Sequence, residues 1–353
     1  MNSADFTQLS QFVHYAQQRF DLPWLAGAFT DSRPQPDIPS RAVWLSLILG
    51  EGVQVGSHLQ IEAETQLPQW QRWVGHPGRI SHDTFGYVSE RLDPAQLRRA
   101  GVWINRKLKR GKAFEASKLK GLLVVSLDAH EQFCSECRCC PDCLSREVTC
   151  KSADGREFKK TQYYHKQVYA QLSGPGLSVI LDFEPMRPGE EECAAALRLL
   201  RRLRREYGPR FFDGVVVDSW YANGPFLKAV VEELGWPVMA VLKQERFEVP
   251  QEALALTAGR QPAHQVERDG RHRWRLGRST PCASATVPLA PCAWGECANG
   301  GGSVIALAGP GCRRTRSRTG SGSWRVIWTG MTAWPSGMGG ICAGRWRITP
   351  LAN

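Results

Sequence analysis

The last 83 residues of the sequence have a single acidic residue and no lysine. Lys243 is the last lysine of the chain, and after Asp269 the only acidic residue is Glu296. Residues 271–353 carry eleven arginines, so they hold +10 of the formal net charge of +11. Because the first 270 residues are nearly neutral, the basic balance belongs to the tail and indicates little about a nucleic-acid partner for the rest of the chain.

Long hydrophobic runs are also absent. No apolar stretch of 18 residues occurs, which excludes a membrane-spanning helix, and no membrane partner is expected. The first residues, MNSADFTQLSQ, lack both the basic and the apolar region of a signal peptide, so a cytoplasmic protein is expected. The 353 residues are enough for two domains, each with its own core.

Residues 1–115 have apolar residues at helical spacing, which predicts an all-α N-terminal region. Ser81 is a good helix cap, and a second helix start follows at Asp93 and Pro94. This region is expected to bind DNA. Two interpretations of its basic end are open, a solvated helix terminus or a contact with DNA phosphates. The basic residues are Arg106, Lys107, Lys109, Arg110 and Lys112.

From Lys118 onward the pattern changes to alternating strands and helices. The order is β-β-β-α-β-α-β, and it predicts an α/β domain over residues 116–255, with a mixed sheet and flanking helices. The predicted strands are residues 121–128, 162–174, 177–186, the run that ends at Asp218, and PVMAVLKQ. The predicted helices are residues 190–207 and PFLKAVVEELG.

Two apolar strands end in a carboxylate, Asp128 in the first and Asp218 in the fourth. If these strands are neighbours, their carboxyl ends bring the two side chains together, and paired hard oxygen ligands suit Mg²⁺ or Mn²⁺. The alternative is that Asp218 caps a helix or opens a turn. Asp182 ends the third strand, and a turn role beside Arg187 is expected for it.

Several segments together resemble the DDE-type transposases of bacterial insertion sequences, which have an RNase H-like catalytic domain. They span roughly residues 75–270, and they are SHDTFGYVSERLDP, LVVSLDAHEQF, CCPDCLSR, QYYHKQVYAQL, LDFEPMRPGEEE and VVVDSWYANGPFLKAVVEELG. The resemblance implies that Asp128 and Asp218 are the first two catalytic carboxylates. It also implies a divalent metal and cut-and-join chemistry on double-stranded transposon-end DNA. The assembly considered for the chain is a homodimer.

Six of the twelve cysteines lie between Cys134 and Cys150. In a reducing compartment such a cluster favours metal or free thiols over disulfides. The predicted zinc ligands are Cys137, Cys140, Cys143 and Cys150. Two other ligand sets are open, Cys134 with Cys137, Cys140 and Cys143, or Cys140, Cys143 and Cys150 with His165. The third interpretation is that these are free surface thiols.

Residues 256–353 are predicted to be an aberrant Gly/Arg/Trp-rich tail, either disordered or out of frame. The family needs a final glutamate here, and no acid of this region lies in a matching segment. Read in a shifted frame, the codons of residues 319–323 permit a Trp-Phe-Trp run, and those of residues 343–348 permit Trp-x-Val-Glu-Asn. Both resemble segments that precede or contain the family's last acid. The sequence therefore favours a transposase whose third catalytic acid is lost, with a DNA-binding remnant or a zinc-stabilised module as alternatives.

Overall fold

The computed structural model describes residues 3–119, 121–152 and 154–243, and six strands between residues 264 and 329. The described residues form two compact units, one that ends at Gly111 and one that begins at Lys112. Among the described residues, no helix has both the length and the hydropathy that a membrane crossing requires.

The first unit consists of seven α-helices, where the sequence predicts helices. Ser81 and Asp93 cap two of them, because their side chains accept hydrogen bonds from the backbone N–H groups of Asp83 and Ala95. The core includes the fully buried Trp70, whose Nε1–H donates to Ser46 Oγ at 3.2 Å. The helices are α1 (Ser3–Phe20), α2 (Leu22–Gly27), α3 (Ser40–Gly52), α4 (His58–Glu64), α5 (Pro68–Val74), α6 (His82–Glu90) and α7 (Pro94–Arg110).

A buried carboxylate on α4 holds the start of α6. Glu62 Oε2 accepts a hydrogen bond from the backbone N–H of His82 at 2.7 Å and lies 2.6 Å from His82 Nδ1. Arg79 forms an ion pair with the same side chain. The His82 N–H, the His82 ring and Arg79 together lower the pKa of Glu62 from 4.5 to about 2.

The second unit is an α/β domain built on one mixed sheet. Its elements up to residue 243 are β1 (Val124–Ser135), β2 (Leu144–Lys151), β3 (Glu157–Ser173), β4 (Val179–Pro185), α8 (Glu192–Tyr207), β5 (Gly214–Val217), α9 (Gly224–Lys228) and β6 (Val238–Lys243). After α9 the chain continues into one π-helical turn, Ala229–Glu233, and Gly235 ends it with φ +70°. The predicted hairpin of residues 162–174 and 177–186 corresponds to β3 and β4, which pair antiparallel.

The sheet places β1 at its centre. β1 pairs parallel with β5, and β5 pairs parallel with β6. On its other side β1 pairs antiparallel with the long strand β3. The first half of β3 pairs with β2 and the second half with β4, so both strands occupy the same edge of β3. The result is a mixed α/β sheet with flanking helices, which is consistent with an RNase H-like fold without being specific to it.

The prediction that the first strand ends at Asp128 is wrong. β1 continues to Ser135, because the 17-residue β3 offers it a partner along this length. The pairing has a bulge at Gln132, between the pairs Glu131–Lys166 and Phe133–His165. Together with β2, these outer halves of β1 and β3 form a three-stranded extension of the sheet, which we call the arm.

Helix α8 packs on the sheet through an apolar face and two arginines. Ala195, Ala196 and the leucines of this face are fully buried. Arg198 forms an ion pair with Glu184, and Arg202 with both Glu184 and Asp182. The predicted turn role of Asp182 is therefore wrong, because this residue lies inside β4 and binds Arg202.

Part of the predicted aberrant tail has strand backbone. One strand, β10, extends the main sheet beyond β6, and the others form a three-stranded and a two-stranded sheet. The strands are β7 (His264–Arg268), β8 (His272–Arg278), β9 (Ala293–Cys297), β10 (Ser303–Ala308), β11 (Arg313–Arg318) and β12 (Trp324–Thr329). The remaining positions of the tail, including residues 319–323 and 343–348, lie outside the described residues.

Candidate active site

The register of β1 and β5 brings the two predicted carboxylates side by side. Val124 pairs with Gly214 and Ser126 with Val216 in the parallel ladder. The same register, continued by two residues, places Asp128 opposite Asp218. Paired residues of neighbouring strands project from the same face of the sheet, so both carboxylates lie on one face.

Local backbone contacts fix the orientation of both side chains. Asp128 Oδ1 accepts a hydrogen bond from the N–H of Ala129 at 2.9 Å. Asp218 Oδ1 accepts one from the N–H of Trp220 at 2.8 Å, which forms the turn that the alternative interpretation expected. The cap of α9 is instead Asn223, whose Oδ1 accepts from the N–H of Phe226. These bonds engage only Oδ1 of each aspartate.

Neighbouring carboxylates affect the electrostatic environment of Asp128. Although Asp128 is exposed, partial desolvation of its carboxylate raises its pKa, and the negative charges of Asp218 and Glu192 raise it further. The N–H of Ala129 and the positive charge of Lys166 act in the opposite direction without cancelling the increase. A bound cation would remove the repulsion among these carboxylates, which makes the group attractive to a metal ion.

Sequence reasoning did not identify Glu192 as a charged neighbour of Asp128. Glu192 is the first residue of α8, and Lys166 Nζ lies 2.6 Å from its Oε2. Cys193, the next residue, holds the start of α8 beside the segment that follows Asp218. Cys193 Sγ lies 3.9 Å from the carbonyl oxygen of Trp220 and accepts a hydrogen bond from Asn223 Nδ2 at 3.2 Å.

Tyr221 was also missed. It is fully buried, and burial is the main cause that raises the pKa of its hydroxyl. The negative charges of Glu192, Asp128 and Asp218 add to this increase. The hydroxyl therefore stays protonated, and its oxygen is buried without a hydrogen-bond partner among the described residues. A tyrosine in the run SWYANGPF has no sequence pattern that indicates this position.

The described residues bring together only three of the predicted or considered zinc ligands. Cys140, Cys143 and His165 have ligand atoms within 4.8 Å of one another. Cys137 and Cys150 are not part of this group. Cys150 pairs with Phe158 and lies six residues along β2 from Leu144, a distance of about 20 Å.

The described residues do not test the predicted loss of a third catalytic acid. Asp269 and the acids between residues 244 and 263 are outside the described residues. Glu267 and Glu296 lie on strands β7 and β9. The predicted loss of this acid therefore stays a prediction.

Comparison with known proteins gives no family for the chain. No protein-family model matches it, and no curated protein is significantly similar to it. Among solved structures, a cryo-EM structure of a piggyBac transposase synaptic complex with hairpin DNA is similar at a TM-score of 0.35 and 12% identity. The match covers 89% of this chain and 63% of that chain, so this chain spans less than two thirds of the transposase. A likeness at this TM-score does not establish a shared fold.

Proposed function

We propose that the chain is a DDE-type transposase in which Asp128 and Asp218 are the first two acids of the active site. The observation that supports this proposal is the register of β1 and β5, which would set Asp128 beside Asp218 if it continued two residues past its last pair, Ser126 and Val216. The residues that resemble the transposases of bacterial insertion sequences include both of them. The reaction is cleavage of transposon-end DNA followed by transfer of the cut strand.

The topology supports the RNase H-like part of the proposal. In the order β4-β3-β1-β5-β6, strands β1, β3 and β4 pair antiparallel and precede α8, and β5 and β6 run parallel to β1. Strand β2, between β1 and β3 in sequence, is an additional strand that the sequence did not predict. Helix α8 connects β4 to β5, and it covers one face of the sheet. This is the arrangement that the β-β-β-α-β-α-β pattern predicts for such a core.

The residues present fit a divalent metal. Asp128 and Asp218 would hold such an ion, because they provide hard oxygen ligands of the kind Mg²⁺ and Mn²⁺ prefer and a bound cation would offset their mutual repulsion. Such ions, when bound, activate a water or a 3′-hydroxyl and stabilise the leaving oxygen. The protein contributes the fixed orientation of the two aspartates, held by the N–H groups of Ala129 and Trp220.

The chain in its present form is proposed to be inactive alone. The family's last glutamate has no match in this sequence, and two carboxylates give a metal fewer ligands than three. Because strand transfer depends on neutralising charge at the attacked phosphate, weak metal binding lowers the rate directly. A single deleted base, or two added bases, near the codons of residues 270–280 is proposed to restore the last acid.

The experiment compares Mg²⁺-dependent nicking of transposon-end DNA by the present protein and the frame-corrected protein. We expect nicking only by the corrected protein, and we expect Asp128→Ala or Asp218→Ala in that protein to abolish it. Glu147→Ala removes an exposed carboxylate of β2 and serves as the matched control, which should cut normally.

Four results would contradict the proposal. Equal cutting by the present and corrected proteins would show that the third acid is not missing. Cutting that survives both aspartate substitutions would place the active site elsewhere. Tight binding of the DNA ends without cutting by the corrected protein would favour the DNA-binding remnant, and no DNA binding at all would favour the structural module.

A further inference from the structure

Two thiols and an imidazole meet where the loop between β1 and β2 lies against β3. The Sγ atoms of Cys140 and Cys143 are 3.6 Å apart. His165 Nε2 lies 3.3 Å from Cys140 Sγ and 3.2 Å from Cys143 Sγ. The two cysteines are free, and their sulfurs are much farther apart than the roughly 2.05 Å of a disulfide bond.

Hydrogen bonding alone does not explain this arrangement. One imidazole nitrogen carries either one hydrogen or one lone pair, so it can form a good hydrogen bond with only one of the two thiols. A cation between the three atoms satisfies all of them. Tetrahedral zinc, with bonds of about 2.3 Å to sulfur and 2.0 Å to nitrogen, separates two sulfurs by about 3.8 Å and sulfur from nitrogen by about 3.5 Å. Each observed separation is within about 0.3 Å of these values.

The backbone between the two cysteines also forms a turn of the kind that presents paired cysteine ligands to a metal ion. The N–H of Cys140 donates to Cys143 Sγ at 3.2 Å, and the N–H of Cys143 donates to the carbonyl oxygen of Cys140 at 3.1 Å. The first of these bonds stabilises negative charge on the sulfur, as outer-shell donors do at metal sites. The turn therefore presents both sulfurs on one side before any metal binds.

The arm has little else to hold its loop. Most side chains of β2 and of the first half of β3 are exposed, so the arm has almost no apolar core. Four exposed ion pairs cross it, and pairs of this kind contribute little to stability. Small units without a core are commonly held by a metal. The pairs are Arg146–Glu131, Lys151–Glu157, Lys159–Glu147 and Lys160–Glu136.

We propose that Cys140, Cys143 and His165 bind one Zn²⁺ ion, which joins the β1–β2 loop to β3. Solvent takes the fourth coordination position, because no fourth Cys, His, Asp or Glu of the described residues joins the group. This set differs from the ligands predicted from spacing, since Cys137 and Cys150 are outside it. The site is separate from the carboxylates and does not depend on the proposed transposase activity.

The test measures the zinc content of the full chain purified without chelator. We expect about one zinc per chain, as for a single tetrahedral site. Cys140→Ser, Cys143→Ser and His165→Ala should each reduce the content below about 0.2 equivalents of that single site. The matched controls are Cys137→Ser and Cys150→Ser, which make the same chemical change in the same part of the chain and should keep the zinc.

A second measurement uses only the wild-type protein, so it tests the proposal even if the variants fail to fold. Co²⁺ added to the metal-free wild-type protein should give the absorption of a tetrahedral site with thiolate charge-transfer bands, with an endpoint at one equivalent. Zinc below about 0.2 equivalents in the wild type, set against one ion per tetrahedral site, would overturn the proposal. Loss of zinc in either control variant, or a purely octahedral Co²⁺ spectrum, would overturn the ligand set.

Discussion

Replacing Arg202 by methionine should destabilise the second unit strongly. Arg202 Nε lies 2.6 Å from Asp182 Oδ2, and its Nη2–H donates to the carbonyl oxygen of Phe183 at 2.8 Å. The Arg202 side chain is 17% exposed and that of Asp182 only 5%. Methionine keeps the apolar stem but leaves Asp182 without this guanidinium. Removing one partner of a buried ion pair costs about 3–5 kcal/mol, and we expect about 3 kcal/mol because the pair is not completely dry.

The assay is urea unfolding followed by circular dichroism. A loss of about 3 kcal/mol changes the unfolding equilibrium about 100-fold. Arg201→Met is the matched control one residue away, since Arg201 pairs with Glu233 at an exposed site, where about 0–1 kcal/mol is typical. Combining Arg202→Met with Asp182→Asn should recover part of the loss, because the buried charge is then removed as well. An Arg202→Met protein as stable as the Arg201→Met protein would refute the reasoning.

The remaining predictions concern charges. Asp128→Asn should raise the thermal midpoint of the metal-free protein slightly and abolish its stabilisation by Mn²⁺. Partial desolvation and the neighbouring carboxylates raise the pKa of Asp128, so its charged form destabilises the fold above that pKa. The difference from wild type should therefore vanish at acid pH. A midpoint lowered by this substitution would contradict the assignment. Glu192→Gln should weaken Mn²⁺ binding about fivefold, which corresponds to about 1 kcal/mol. Glu191→Gln changes the adjacent exposed glutamate and should leave Mn²⁺ binding unchanged. Equal Mn²⁺ titration curves for the two variants would remove Glu192 from the site. Glu62 has its pKa lowered from 4.5 to about 2, so its stabilisation is present above about pH 4.5 and is lost as the pH falls toward 2. The stability difference between wild type and Glu62→Gln should shrink over that range, and a difference independent of pH would contradict it.

The pairing of Asp128 with Asp218 could be expected from sequence because it depends on strong signals. Both lie at or beyond an apolar strand segment, and the order of strands and helices makes those strands neighbours. The end of β1 could not be placed, because the residues after Asp128 are polar and extended only through their hydrogen bonds to β3. Tertiary pairing here overrides the hydrophobic pattern.

The sequence did not reveal the other residues around the two aspartates and in the cysteine cluster, because each residue has an ordinary structural explanation. Acidic residues at the start of α8 are expected from the helix dipole, so Glu192 had no distinguishing signal. The cysteine spacing indicated metal chemistry but not its ligands, because spacing does not say where a strand carries Cys150. Asp182 resembled a turn residue, and only the packing of α8 reveals its partner, Arg202.

The long strand β3 restricts how this part of the chain can change in length. His165 and Tyr169 are four residues apart on one face of β3, about 13 Å along the strand, and Tyr169 is the antiparallel partner of Asp128. An insertion of one residue between them would turn one of the two side chains to the opposite face of the sheet. An insertion of two would keep the face but move His165 about 7 Å farther from the carboxylates. Homologues that keep both the Cys140–Cys143–His165 cluster and the aspartate pair should therefore differ here by even numbers of residues, or should compensate an odd change with another bulge.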